Sequence, residues 1–243
     1  MRRFFIAGEL ADTVTITGPD ARHIGRVLRL GPGAEIVVAD KAGHAARAVI
    51  TAVEAASVQA AVRERLAAEH EPPVAVTLAQ GLPKGDKLEY IVQKAVELGA
   101  AAVWPLACEN CTVRYDAAKQ VSRRERWQKI AAEAAKQCGR DVVPAVAPVR
   151  PLADALAEAG ADTEIIMLYE GQGGEPLRAI LAGGGASSYL LLVGPEGGFS
   201  LEEVALCRER GARVATLGPR VLRTETASLA ALAIVMYEKG DLG

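Results

Sequence analysis

Two runs near the C-terminus hold the residue types best suited to chemistry. The first is Leu190-Leu191-Leu192-Val193-Gly194-Pro195-Glu196-Gly197-Gly198-Phe199, and the second is Leu217-Gly218-Pro219-Arg220-Val221-Leu222-Arg223-Thr224-Glu225-Thr226-Ala227. Each runs from an apolar strand pattern through a Gly/Pro turn into a helical pattern. Two backbone loops are therefore expected together at one sheet edge, where open α/β sheets bind ligands. Gly194, Gly197, Gly198 and Gly218 remove the side-chain wall and let backbone N–H and C=O groups approach a ligand. Arg223 adds a guanidinium, and Glu196 and Glu225, with Glu109 further upstream, add carboxylates that can act as bases. A triphosphate loop is excluded, because no Lys follows Gly197-Gly198. A dinucleotide fingerprint is excluded as well, since Gly183-Gly184-Gly185 precedes a strand instead of following the first one.

The elements that must position these residues alternate in type from Val74 onward. Strands are predicted at Val74 to Ala79, Val103 to Leu106, Ile165 to Leu168, Leu190 to Val193 and Val214 to Leu217. Leu88, Ile91, Val92, Ala95 and Leu98 recur at helical spacing and stop at Gly99. Further helices are predicted around Arg126 to Gln137, Leu152 to Glu158, Leu201 to Arg210 and Ala227 to Tyr237. The pattern implies a mostly parallel sheet with helices on both faces. Leu168-Tyr169-Glu170, ending a neighbouring strand, is expected as a third wall of the site, and Thr224 as the cap of the last helix.

Residues 1 to about 70 read differently. Thr13 to Ile16, Glu35 to Val38, Ala48 to Ile50 and Val58 to Val62 are short β-type runs between turn residues, which suggests a small barrel. Pro19-Asp20-Ala21 opens a helical turn carrying His23, Arg26 and Arg29 at spacing three, so one cationic face is predicted. Glu69-His70-Glu71-Pro72-Pro73 is polar and stiffened by proline, and is the predicted linker between units of residues 1–70 and 74–243.

With 243 residues and 50% apolar content, the chain can bury a sizeable core. A net charge of −2 argues against bulk electrostatic coating of nucleic acid. Locally the balance is different: Lys84 through Arg140 holds 11 Lys/Arg against 7 Asp/Glu, and Arg2, Arg3, Arg22, Arg26 and Arg29 cluster near the start. Cys108 and Cys111 form one Cys-x-x-Cys without the second pair of a zinc ribbon, and His23, His44 and His70 are scattered, so no metal is expected. The longest apolar run, Leu229 to Tyr237, is too short to span a bilayer, and the N-terminus lacks a signal-peptide core, so a cytoplasmic location is expected.

The two C-terminal loops resemble the signature loops of the knotted-trefoil (SPOUT) S-adenosylmethionine-dependent RNA methyltransferases, and within them the family that methylates uridine N3 in 16S ribosomal RNA. The resemblance also rests on Arg22-His23-Ile24-Gly25-Arg26-Val27-Leu28-Arg29, Gln80-Gly81-Leu82-Pro83-Lys84-Gly85-Asp86-Lys87-Leu88-Glu89, Lys94 to Ala100, and Trp127-Gln128-Lys129-Ile130 through Gln137-Cys138-Gly139-Arg140. One departure is Asn110, since that family has Arg after Glu109; Arg114 lies four residues on. The resemblance implies a knotted, SPOUT-like α/β domain preceded by a PUA-like barrel, in a homodimer acting on 16S rRNA in the 30S subunit. S-adenosyl-L-methionine is then expected against Leu168, Tyr169, Glu170, Gly194, Pro195, Glu196, Gly197, Gly198, Leu217, Gly218, Val221, Leu222 and Arg223. Arg223 would stabilise negative charge spreading over the uracil as N3 loses its proton. Glu196, Glu225, Glu109 or water would take that proton. Arg3, His23, Arg26, Arg29, Lys84, Lys87, Arg114 and Arg140 are expected to grip the RNA. Two other readings are a ribose 2′-O-methyltransferase of the same fold and a non-catalytic RNA-binding assembly protein.

Overall fold

The computed structural model describes residues 1–67, 69–171, 173–183 and 185–243, so Gly184 of the glycine run lies outside the described residues. These residues form two compact units, Met1–Glu71 with Ala135–Val143, and Pro72–Ala134 with Pro144–Gly243.

The first unit is a curled five-stranded sheet of β1 (Arg3–Phe5), β2 (Thr13–Thr17), β3 (Glu35–Ala39), β4 (Ala45–Val53) and β5 (Ser57–Leu66), in the order β1-β3-β4-β5-β2. In β2 the alternation buries Val14 and Ile16, which join Ile24, Ile36, Val38 and Ile50 in one apolar cluster. Register shifts in β4 at Arg47/Ala48 and Ile50/Ala52 supply the bulges that bend such sheets. After β2, α1 (Gly18–Arg22) runs straight into a π-helical turn, His23–Val27. That turn is wider than an α-helical one, and Arg29 beyond it sits in the left-handed region at φ 51°. The spacing-three face predicted for His23, Arg26 and Arg29 therefore does not extend to Arg29.

Two of the cations expected on RNA are instead internal struts of this unit. Arg3, buried, pairs with Asp141 and donates to the carbonyl of Arg140 at 2.9 Å. Arg140, also buried, pairs with Glu71, whose carboxylate accepts the N–H of Asp141 at 2.9 Å and of Val142 at 3.1 Å. Both guanidiniums, expected to grip phosphates, are desolvated and paired with carboxylates inside this unit. Glu71, in the predicted linker, is held by the same contacts.

The second unit is a sheet in the order β11-β13-β10-β12-β6-β7-β8, with β9 also paired to β7, and every pairing is parallel. Its strands are β6 (Ala75–Gly81), β7 (Ala102–Ala107), β8 (Ala145–Val146), β9 (Arg150–Pro151), β10 (Thr163–Leu168), β11 (Glu175–Pro176), β12 (Ser188–Val193) and β13 (Arg213–Thr216). The helices between them are α2 (Lys87–Glu97), α3 (Ala117–Cys138), α4 (Leu152–Glu158), α5 (Leu177–Ala182), α6 (Leu201–Glu209) and α7 (Thr224–Glu238). Tyr189 through Val193 are all buried, as expected of a parallel strand covered on both faces. Helix α7 packs on α2 and α5 and lies on β6 and β12, whereas α4 meets α6. Register then creates the site: Leu168 pairs with both Val193 and Ala215, and Val193 also pairs with Gln80. The segments after β10, β12 and β13 thus leave the sheet at one level.

Candidate active site

Those three exits enclose a cavity of about 420 Å³, within the range of small-molecule sites. Leu168, Tyr169 and Glu170 form one wall, Val193 to Glu196 with Gly198 and Phe199 a second, and residues 215–224 with Ala227 a third. At Gly198 the backbone favours glycine: its φ is 67°, and a Cβ there would sit 2.9 Å from Oε1 of Glu170, so that carboxylate would have to move.

A buried polar network holds the walls in register. Thr224 Oγ1 donates to the carbonyl of Gly194 at 2.7 Å and accepts from Gln80 Nε2 at 2.8 Å. Ser228 Oγ, one turn along α7, donates to Gln80 Oε1. The end of β6, the glycine loop and the start of α7 are thereby tied at one point. Thr224 does not cap α7 as expected; Arg223 occupies the N-cap position without a side-chain cap bond, and the Thr224 hydroxyl is committed to the glycine loop.

The charges are arranged around Lys87, which lines the cavity. Its ammonium lies 2.9 Å from Glu196 and 3.3 Å from Glu225. Hydrogen bonding to Glu196 raises Lys87 above its ordinary pKa. Burial alone would raise Glu196, but bonds from Lys87 and from the backbone N–H groups of Glu196 and Lys84 prevail and hold its carboxyl below the ordinary value. Arg223 lines the cavity, is exposed, and forms no ion pair among the described residues. A permanent cation unshared with any carboxylate among the described residues therefore faces the cavity, while Glu196 and Glu225 share the ammonium of Lys87.

A family profile described as an RNA methyltransferase domain matches residues 70–236, and one described as an RNA methyltransferase PUA domain matches residues 16–62. A ribosomal RNA small subunit methyltransferase E of Bacillus subtilis is 39% identical, over 98% of this chain and 97% of its own. The chain belongs to the ribosomal RNA small subunit methyltransferase E family. A crystal structure of the family member from Neisseria gonorrhoeae, bound to S-adenosyl methionine, is 33% identical and superposes with a TM-score of 0.90 over 100% of both chains. A methyltransferase from Legionella pneumophila, in complex with the same cofactor, is 31% identical with a TM-score of 0.85 over 97% of this chain and 96% of that one.

Of the residues expected to meet a cofactor, the structure brings all but Gly197 to the cavity. Gly197 faces Asn110 instead, whose Cβ lies 3.0 Å from where its own Cβ would be. Of the three carboxylates considered as bases only Glu196 lines the cavity; Glu225 and Glu109 do not. Lys87, expected on RNA, is an internal counter-ion of the site. His23, Arg26, Arg29, Lys84 and Arg114 are exposed, and none forms an ion pair among the described residues. The Cys108/Cys111 pair closes a tight turn, the Cys111 N–H donating to the Cys108 carbonyl at 3.1 Å. Among the described residues no group of three or more His, Cys, Asp or Glu is arranged to hold a metal ion. Sequence reasoning missed the Gln80 network: a lone Gln ending a strand carries no signal until the strand order places it beside Gly194 and Thr224.

Proposed function

We propose that this protein methylates N3 of a uridine in 16S ribosomal RNA, with S-adenosyl-L-methionine bound in the cavity at the ends of β10, β12 and β13. The observation that carries the reading is Arg223, a guanidinium that lines a loop-built cavity without a carboxylate partner among the described residues. The residues fit the cofactor: Leu168, Leu217, Val221 and Leu222 offer apolar lining, the Gly194–Gly198 loop offers backbone, and Gly198 opens the wall that a Cβ would fill. When bound, the cofactor supplies a methyl group on a positively charged sulfur.

The protein's own part is to bind, orient and stabilise. Uracil N3 must shed its proton to become nucleophilic, and Arg223 stabilises the negative charge that then spreads over N3 and the carbonyl oxygens. Glu196 accepts three donors and is poorly placed to take a proton. Glu225 does not reach the cavity, so proton loss to water is the favoured route. His23, Arg26 and Arg29 in the first unit and Lys84 and Arg114 in the second are the cations available for phosphates. We further infer a homodimer working on 16S rRNA within the 30S subunit in the cytoplasm; no helix among the described residues is long and apolar enough to cross a membrane.

The test is incubation of the protein with cofactor and 30S subunits from a strain lacking the gene, followed by mass spectrometry of nucleosides. The reading expects 3-methyluridine in 16S rRNA; a methylated ribose would transfer the assignment to 2′-O chemistry, and an unmodified RNA would remove it.

A further inference from the structure

The glycine loop is held from two sides. Its start is tied through Gly194 to Gln80 and Thr224. Its end is tied to a residue that does not line the cavity, Asn110, whose Nδ2 donates to the carbonyl of Gly197 at 3.1 Å and of Gly198 at 3.3 Å. Because both partners are carbonyl oxygens, the amide NH2 must be the group that faces them. A peptide N–H points opposite to its C=O, so fixing the Gly198 carbonyl also fixes the direction of the Phe199 N–H, and Gly198 and Phe199 both line the cavity.

Asn110 is itself presented rigidly. It is exposed, but it sits in the turn after β7 whose two ends, Cys108 and Cys111, are buried. The Cys108 N–H donates to Cys111 Sγ at 3.3 Å, and Cys111 Sγ hydrogen-bonds to the carbonyl of Leu106 at 3.6 Å. The Glu109 N–H donates to Glu203 Oε1 at 2.9 Å, while Glu203 Oε2 accepts the Ser200 N–H, also at 2.9 Å, in the capping box that starts α6. One carboxylate thus joins the Asn110 turn to the helix that begins where the glycine loop ends.

We propose that Asn110 is a positioning residue that latches the Gly194–Phe199 loop in its cofactor-binding conformation, acting only through the loop backbone. The inference rests on the reading of the cavity as the S-adenosylmethionine site. Without the latch the loop must be ordered by the ligand itself, which weakens binding without changing the reacting groups.

The decisive variant is Asn110→Asp, equal in size and shape but presenting a carboxylate to two carbonyl oxygens. Asn110→Ala removes the donors without adding charge. Calorimetry with S-adenosylmethionine is expected to show affinity lower by about five- to tenfold for Asn110→Ala, the scale of a lost hydrogen bond, and lower still for Asn110→Asp. At saturating cofactor, kcat on 30S subunits is expected to stay within about twofold of the unsubstituted protein, with KM for the cofactor carrying the change. Melting temperatures should be unchanged, since Asn110 is exposed. Unchanged affinity in both variants, or a loss that only follows a fall in melting temperature, overturns the latch. Failure of the unsubstituted protein to bind the cofactor would overturn the functional reading instead, so the two failures are distinguishable.

Discussion

Arg223 and Lys87 are two cations of one cavity with opposite duties. Lys87 is paired with Glu196 at 2.9 Å and Glu225 at 3.3 Å, whereas Arg223 has no ion pair among the described residues. Arg223→Ala is therefore expected to lower single-turnover methylation of 30S subunits by about a hundredfold or more while leaving the melting temperature unchanged. If the target is uridine N3, as proposed, Arg223→Lys should stay impaired, because an ammonium cannot make a planar two-point contact across N3 and a carbonyl oxygen. Lys87 bears on pH instead. Glu196 is depressed below 4.5, so its contribution is present above that value and is lost as pH falls through the lowered one; Lys87 is raised above 10.5, so its contribution is lost only as pH rises beyond that. The wall is thus held throughout the neutral range. Lys87→Met removes the lowering partner, and the acid limb of cofactor affinity is expected to move to higher pH, which titration calorimetry across pH 4 to 7 would register.

The glycine loop between β12 and α6 concentrates the constraints at the level of elements. Gly194 is fixed by Thr224, Glu196 by Lys87 and the Lys84 N–H, and Gly197 and Gly198 by Asn110. So many fixed points leave little room for a side chain. Gly198→Val meets the cost of φ 67° in a β-branched residue and must displace the Glu170 carboxylate, itself a wall of the cavity. Because the strain falls in the loop after β12 and spares the strands themselves, the variant should fold with unaltered far-ultraviolet circular dichroism yet show no measurable heat of cofactor binding. Normal affinity in that variant would show that the loop is not a wall of the site.

At the scale of the molecule, Arg3 is expected to affect activity through stability. Asp141 is 1% exposed, and Arg3→Ala would leave it buried without its guanidinium, a loss of about 3–5 kcal/mol for breaking a buried pair. Thermal unfolding should show the first unit melting early, with calorimetric cofactor affinity of the second unit retained below that transition. A variant that melts normally but binds RNA weakly would return Arg3 to the RNA surface. The division of the chain has a parallel consequence: residues 135–143 belong with 1–71, so a fragment beginning at Val74 would carry Arg140 and Asp141 without their partners.

Alternation in β2, the helical recurrence of Leu88, Ile91, Val92 and Ala95, and the Gly/Pro exits after β12 and β13 are local signals, so the sequence by itself determined the class of these elements and which loops could hold a ligand, whereas β1, β8, β9, β11 and α5 are too short to carry such a signal. Boundaries were less legible: α3 begins at Ala117, nine residues before the predicted start, because its first turns are polar and carry no apolar periodicity. Only the tertiary structure decided the partners of the charged residues. Arg3, Arg140 and Arg223 are the same side chain in sequence, yet two are buried struts and one is an unpaired cation at a cavity. What separates them is a carboxylate from a distant segment, Asp141 138 residues from Arg3 and Glu71 69 residues from Arg140. Gln80 and Asn110 gained their roles in the same way, through contacts 144 and 87 residues away that strand order creates and no local pattern encodes.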